Sequence, residues 1–182
     1  MKSALILIDI QNDYFPGGAM ELADMTLAAA QARDLLGACR QARRPIFHVQ
    51  HIASGPGATF FRPDTPGVEI NESVRPLAGE PVIRKQYPNA FRETGLLETL
   101  KSAGVEELII CGAMSHMCID ATTRAAFDFG LRCIVIHNAC ATRDLAFGGL
   151  TIPASHVHGA FMAALSMRFA RVISLEDFLS GL

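Results

Sequence analysis

The sequence has no long hydrophobic run, no paired-cysteine motif and no glycine-rich nucleotide-binding motif. Because no apolar stretch approaches the ~20 residues of a membrane-spanning helix, we expect no membrane partner. A formal net charge of −2 gives no support for binding to nucleic acid, so that partner is not expected either. The motifs GxGxxG and GxxxxGKS/T are both absent, which argues against dinucleotide and P-loop nucleotide sites. We expect no cofactor.

Cysteine is present, but in a pattern that does not suit a disulfide framework. The five cysteines are an odd number without regular spacing, and no CxxC pair occurs, so neither a dithiol redox motif nor a zinc ribbon is expected. The N-terminal apolar segment is short and ends at an acidic residue, which does not suit a signal peptide and favours a first strand. These features predict a cytoplasmic protein with free thiols.

Short apolar runs alternate with longer helical patterns, without an internal repeat or a linker, and predict a single α/β domain over residues 1–182. The apolar runs lack polar alternation, which indicates strands buried on both faces of a parallel, doubly wound sheet. The predicted strands are Ala4–Ile8, Ile46–Ile52, Pro81–Arg84, Glu107–Gly112, Arg132–His137 and Ala170–Ser174. The predicted helices are Leu22–Arg43, Gly95–Ala103, Met117–Phe129 and Ala154–Arg168.

Residues 54–80 interrupt this alternation with a segment rich in glycine and proline. A loop of this length in a compact domain is usually functional or serves as a packing arm. Because Phe60 and Phe61 lie within it and require burial, the segment is interpreted as a substrate lid or a subunit contact rather than as disordered chain.

Three residues of catalytic type fall at predicted strand ends. Asp9 closes the first strand, Lys85 follows the third, and Cys118 follows the turn after the fourth. Ser115 is a candidate N-cap, which would place Cys118 in the first turn of a helix, where the helix dipole favours a thiolate. Asp9 could then accept the thiol proton, while Lys85 would lower the pKa of both acidic groups. The alternatives are a capping aspartate, a surface lysine and a core cysteine.

Three segments carry a resemblance to a known family: LIDIQNDYF (7–15), RKQYPNAF (84–91) and GAMSHMCI (112–119). The chain resembles isochorismatase-like cysteine hydrolases of the nicotinamidase-related branch. The resemblance implies a three-layer α/β/α sandwich with a six-stranded, mostly parallel sheet. It also implies an Asp–Lys–Cys triad, with Asp9 as general base, Lys85 as charge-stabilising partner and Cys118 as nucleophile. Such enzymes hydrolyse a small amide through an acyl-enzyme.

The same resemblance implies a cis peptide between Ala113 and Met114. In that arrangement the backbone N–H groups of Met114 and Cys118 would hold the developing oxyanion. Side chains near the three candidate residues could bind a small-molecule substrate, although packing in the core is the alternative for most of them. These predicted substrate-binding residues are Gln11, Phe15, Tyr87, Asn89, Phe91 and His116.

A metal site is not expected. Nicotinamidases carry an Asp-x-His metal motif after the second strand, and here Gln50 stands where the aspartate is expected. His48 and His51 are three residues apart and would face opposite sides of a straight strand, although His51 could line the pocket. A metal-dependent nicotinamidase and a thiol redox or binding protein remain as alternative functions. The resemblance also implies a homo-oligomer, either a dimer or a tetramer.

Overall fold

A computed structural model, which describes residues 1–181, contains a central sheet of six strands in the order β3-β2-β1-β4-β5-β8. All five neighbouring pairs are parallel, and the strand order reverses between β1 and β4. The sheet strands are β1 (Ser3–Ile8), β2 (Ile46–His51), β3 (Val82–Lys85), β4 (Glu107–Ala113), β5 (Arg132–Ala141) and β8 (Arg171–Ile173). This arrangement confirms the predicted doubly wound fold.

Helices cover both faces of the sheet. The alternation of side chains along β1 explains why, because Leu5 and Leu7 enter one hydrophobic core, while Ala4, Ile6 and Ile8 enter a second core on the opposite face. Helices α1 (Met25–Gln41) and α5 (Leu175–Ser180) pack into the first core. The second core receives α2 (Leu96–Ser102), α3 (Asp120–Asp128) and α4 (Ala154–Ser166).

Several boundaries differ from those predicted. Helix α1 begins at Met25 rather than Leu22, because Leu22 and Ala23 donate their N–H groups to Tyr14 and Thr142 instead. Strand β5 continues past His137 after a bulge in its pairing with β4. Three short elements were not predicted because their apolar patterns are too brief: the antiparallel hairpin β6 (Leu145–Phe147) and β7 (Leu150–Ile152), and helix α5. No helix in the described part of the chain is long and apolar enough to span a bilayer.

The 54–80 segment is an ordered packing arm. Its Phe61 is fully buried, and the Phe61 ring lies 4.5 Å from the Tyr14 ring, centroid to centroid. The buried Asp13 carboxylate holds this part of the arm by accepting hydrogen bonds from the N–H groups of Phe61 and Ala19. At the far end of the arm, Glu80 accepts hydrogen bonds from Arg40 and makes a 3.0 Å contact with His48.

Strands β1 and β4 approach each other closely at their carboxyl ends. Gly112 pairs with Ile8 and has a φ of +124°, a conformation that side chains rarely adopt. A Cβ atom at Gly112 would collide with the backbone carbonyl of Ile8. Glycine is therefore required where β4 leads into the segment that carries Cys118.

We predict that Gly112→Ala lowers the free energy of unfolding by at least about 1–3 kcal/mol, the range typical of overpacked interiors. The matched control is Gly37→Ala in α1, where a Cβ meets no atom within 4 Å. That substitution should leave stability unchanged or raise it by about 0.5–1 kcal/mol. Urea denaturation of both variants measures the difference. Equal stabilities would contradict the close approach of β1 and β4.

Candidate active site

Asp9 lies immediately after β1, in the left-handed region of backbone space with a φ of 53°. Few residues other than glycine adopt this conformation, and those that do are often at functional sites. The Asp9 N–H donates to the carbonyl of Val49 on β2 at 3.0 Å, which fixes the bend. The bend directs a fully buried carboxylate towards the next strand ends.

Lys85 is the last residue of β3, and its ammonium group lies at the centre of the site. Its Nζ atom is 2.7 Å from Asp9 Oδ2, 3.2 Å from Cys118 Sγ and 2.9 Å from His51 Nδ1. The side chains of Lys85 and Asp9 are both fully buried. The structure thus brings the three predicted catalytic residues together and adds a fourth side chain, His51. The catalytic roles themselves stay predictions at this point.

Cys118 lies on a single π-helical turn, Ser115–Ile119, that precedes α3. Such turns are rare and often occur at functional sites. The prediction of Ser115 as an N-cap is wrong, because the Ser115 side chain makes no capping hydrogen bond. Instead, its buried hydroxyl donates to the carbonyl of Ala141 and contacts His158 Nδ1 at 2.8 Å.

The peptide bond between Ala113 and Met114 is cis, at the position that the family resemblance implied. Among residues 1–181, no acceptor for the Met114 N–H is found. The role of this N–H in holding an oxyanion, together with the Cys118 N–H, stays a prediction.

The electrostatic environment corrects one expectation. Burial raises the pKa of the Cys118 thiol above its ordinary value, and the nearby Asp9 carboxylate raises it further, while Lys85 opposes both effects. For Lys85, burial lowers the pKa, but Asp9 and Cys118 outweigh burial, and the net direction is upwards. The predicted lowering of the Cys118 pKa is wrong because the depth of burial outweighs the lysine. The net effect on the Cys118 pKa is therefore upwards, beside a carboxylate that is ion-paired with Lys85.

The residues present do not suit a metal ion. In the described part of the chain, one group of three metal-binding side chains was found, formed by Asp9, His51 and Cys118, whose ligand atoms lie within 4.8 Å of one another. The Lys85 ammonium contacts all three side chains and would repel a divalent cation there. His48 lies apart from this group and contacts Glu80.

Gln11 and Asn89, two of the predicted substrate-binding residues, form hydrogen bonds within the protein. Gln11 is fully buried, and both of its hydrogen bonds as a donor go to backbone carbonyls, those of His51 and Val68. Its Oε1 accepts from the His51 N–H. Asn89 accepts from the N–H of Phe91 through its side-chain oxygen. These contacts hold β2 against the packing arm and shape the turn after β3, and they leave a substrate contact as a prediction for both residues.

The four predicted substrate-binding residues with aromatic rings lie in different surroundings. Phe91 is buried in the second core, and Phe15 is half-buried against the first. Tyr87 is half-buried, with the Arg92 guanidinium 3.6 Å from its ring centroid. His116 is half-buried, and its Nδ1 lies 2.6 Å from Thr142 Oγ1. Of these four, Tyr87 is the one that lines a cavity adjoining the site.

That cavity has a volume of about 370 Å³, and its lining consists of His51, Ala53, Gln86, Tyr87 and four residues of the packing arm, Ser54, Gly55, Gly57 and Ala58. A larger cavity, of about 1160 Å³, follows the edge of the sheet beside β3, and its lining includes Lys85, Gln50 and Tyr87. Neither of these two cavities is lined by Asp9 or Cys118, and Cys118 is only 5% exposed.

Tyr14, which the sequence analysis did not single out, packs against Phe60 and Phe61 near the site. Its ring is buried, and burial raises the pKa of its hydroxyl, with Asp9 and Cys118 near enough to raise it further. The sequence feature that could have identified Tyr14 is its position in the segment DIQNDYF, close to the turn that bends the chain after Asp9.

Residues 3–177 match the isochorismatase domain. An uncharacterised isochorismatase family protein of Bacillus subtilis is 53% identical over 179 residues, covering 98% of this chain and 99% of that protein. A crystal structure of a proposed isochorismatase hydrolase from Oleispira antarctica superposes with a TM-score of 0.96 at 46% identity, covering 99% and 97% of the two chains.

Relatives with named activities are more distant. The streptothricin hydrolase of Streptomyces noursei is 38% identical over 142 residues, which is 78% of this chain but only 50% of that protein. The maleamate amidohydrolase of Pseudomonas putida is 27% identical, with 100% of this chain and 87% of that protein covered. A nicotinamidase of Arabidopsis thaliana is 26% identical, covering 96% and 85%.

The two charges around Cys118 should move its reactivity in opposite directions. Asp9→Asn removes the anion that raises the pKa of Cys118, so alkylation by iodoacetamide should occur at lower pH. Lys85→Met removes the cation that lowers this pKa, so alkylation should require higher pH. At a fixed pH below the pKa, the thiolate fraction and hence the alkylation rate change about tenfold when the pKa changes by one.

The measurement is the pH profile of Cys118 labelling, read by peptide mass spectrometry. The Cys118→Ala variant gives the background from the other four cysteines, which are all buried. If both variants displace the pH profile in the same direction, or if neither variant displaces it, the assigned electrostatic effects are contradicted.

Proposed function

The chain belongs to the isochorismatase family, and we propose that it is a cysteine hydrolase that cleaves an amide or related C–N bond of a small molecule. The observation that carries this proposal is the contact of the Lys85 ammonium with both the Asp9 carboxylate and the Cys118 sulfur. A nucleophile, a base and a cation in mutual contact are the groups that acyl transfer requires. Members of this family include proteins named amidohydrolases.

In the proposed acylation step, Asp9 accepts the proton of the Cys118 thiol. The resulting thiolate, stabilised by Lys85, attacks the carbonyl carbon of the substrate. The carbonyl oxygen takes up the electron pair and is stabilised by the N–H groups of Met114 and Cys118. When the C–N bond breaks, Asp9 returns the proton to the leaving nitrogen. The products are an amine or ammonia and a thioester on Cys118.

Deacylation uses the same groups. Asp9 accepts a proton from water, whose oxygen attacks the thioester carbonyl. Collapse of the tetrahedral intermediate releases the carboxylic acid, and the sulfur regains the proton from Asp9. In both steps the proton moves through the Asp9 carboxylate. The raised pKa of Cys118 strengthens the dependence of the thiol on this neighbouring base, so we expect Asp9 to be required for activity.

The two alternative functions lack support from a specific observation. A metal-dependent nicotinamidase carries an Asp-x-His metal motif after the second strand, whereas here Gln50 stands at the expected aspartate and donates a hydrogen bond to the Val68 carbonyl. Redox-sensing cysteines are usually solvent-accessible, whereas Cys118 is only 5% exposed. We further propose that the enzyme acts in the cytoplasm, as its cysteine pattern predicts, and forms a homo-oligomer, as the family resemblance implies.

We predict that the wild-type protein releases ammonia or an amine from at least one member of a panel of small amides that includes nicotinamide, maleamate, ureido acids and acylated amines. Cys118→Ala should lower turnover by at least about a thousandfold, since the nucleophile is lost. Excess chelator should have no effect. Ammonia or amine release is measured directly.

Cys133→Ala is the matched control, because Cys133 is also buried but lies on β5, away from Asp9 and Lys85. This variant should retain wild-type turnover. Full activity of Cys118→Ala on the same substrate would overturn the mechanism, and loss of activity with chelator would favour the metal-dependent alternative.

A further inference from the structure

His51 contacts the catalytic cluster but has no part in the proposed chemical steps. We propose that His51 is a positioning residue, whose neutral imidazole accepts a hydrogen bond from Lys85 through Nδ1 and so holds the ammonium between Asp9 and Cys118. This inference rests on the proposed function for its catalytic consequence, although its effect on Cys118 can be measured without a substrate.

The backbone places His51 for this contact. His51 and Lys85 are register partners in the parallel ladder between β2 and β3, so their side chains project from the same face of the sheet. Gln11 fixes the end of β2, since its amide accepts from the N–H of His51 at 2.8 Å and donates to the carbonyl of His51 at 2.9 Å. The imidazole also packs near Phe61, with 5.9 Å between ring centroids.

The contact between His51 and Lys85 matters because it completes the hydrogen bonding of the Lys85 ammonium. A lysine ammonium has three N–H groups, and Lys85 has three partners within 3.2 Å: Asp9 Oδ2, Cys118 Sγ and His51 Nδ1. Each N–H therefore has one acceptor. Without His51, one N–H of a fully buried cation would lack a partner, and the ammonium would be free to rotate away from the sulfur.

The contact requires an unprotonated Nδ1. The charged groups that face His51 are Lys85 from β3 and Asp9 from the end of β1, with the Cys118 thiol from the π-helical turn beside them. Burial lowers the pKa of His51, and Lys85 lowers it further, against an opposing effect of Asp9. Burial and Lys85 both favour the neutral imidazole, and a neutral imidazole that accepts at Nδ1 carries its proton on Nε2.

The test compares His51→Asn, which keeps an acceptor near the position of Nδ1, with His51→Leu, which has none. We expect His51→Leu to displace the pH profile of Cys118 alkylation upwards by about one pH unit, and to lower kcat about tenfold or more on any amide that the wild type hydrolyses. His51→Asn should restore most of both properties. A purely structural role for His51 would not give this rescue.

His48→Leu is the control, because His48 lies on the same strand but contacts Glu80 rather than Lys85. It should change thermal stability without displacing the alkylation profile. An unchanged profile in His51→Leu, or equal displacement in the Leu and Asn variants, would overturn the positioning role. If the displacement and its rescue occur while the wild type hydrolyses no amide, positioning by His51 stands and the proposed hydrolase activity falls.

Discussion

The structure depends most on the buried ammonium of Lys85. An unpaired charge in a protein interior costs several kcal/mol, so a fully buried lysine requires partners held close to it. Here the partners come from separate parts of the chain: Asp9 after β1, His51 on β2 and Cys118 after β4. The same electrostatic requirement that assembles the strand ends also places a base and a nucleophile in contact with one cation.

The backbone around this cluster adopts conformations that cost local stability but place the site residues. Asp9 adopts a left-handed conformation, and Gly112 allows β4 to approach β1 more closely than any side chain would permit. The packing arm is held by Asp13 and Gln11, and Cys118 is almost fully buried in the second core. Exclusion of water in this way strengthens the electrostatic interactions on which the proposed mechanism depends.

The sequence predicted the fold and the meeting of Asp9, Lys85 and Cys118 because parallel strands present their carboxyl ends at one edge of the sheet. It could not predict the direction in which the Cys118 pKa moves, which depends on burial by distant segments. The sequence also could not predict the hydrogen-bond partners of Gln11 and Ser115, because both side chains bond to segments that are remote in sequence. The same applies to His51, whose contact with Lys85 depends on the register of two strands.

The central claim is that Cys118 forms a thioester during hydrolysis, and competition between water and hydroxylamine tests it most directly. The mechanism predicts that, with an amide that the enzyme turns over, added hydroxylamine diverts the acyl group into a hydroxamate at the expense of the acid. The release of ammonia or amine should continue. If the acid remains the sole product at high hydroxylamine concentration while turnover is undiminished, water attacks the amide directly and the covalent mechanism is contradicted.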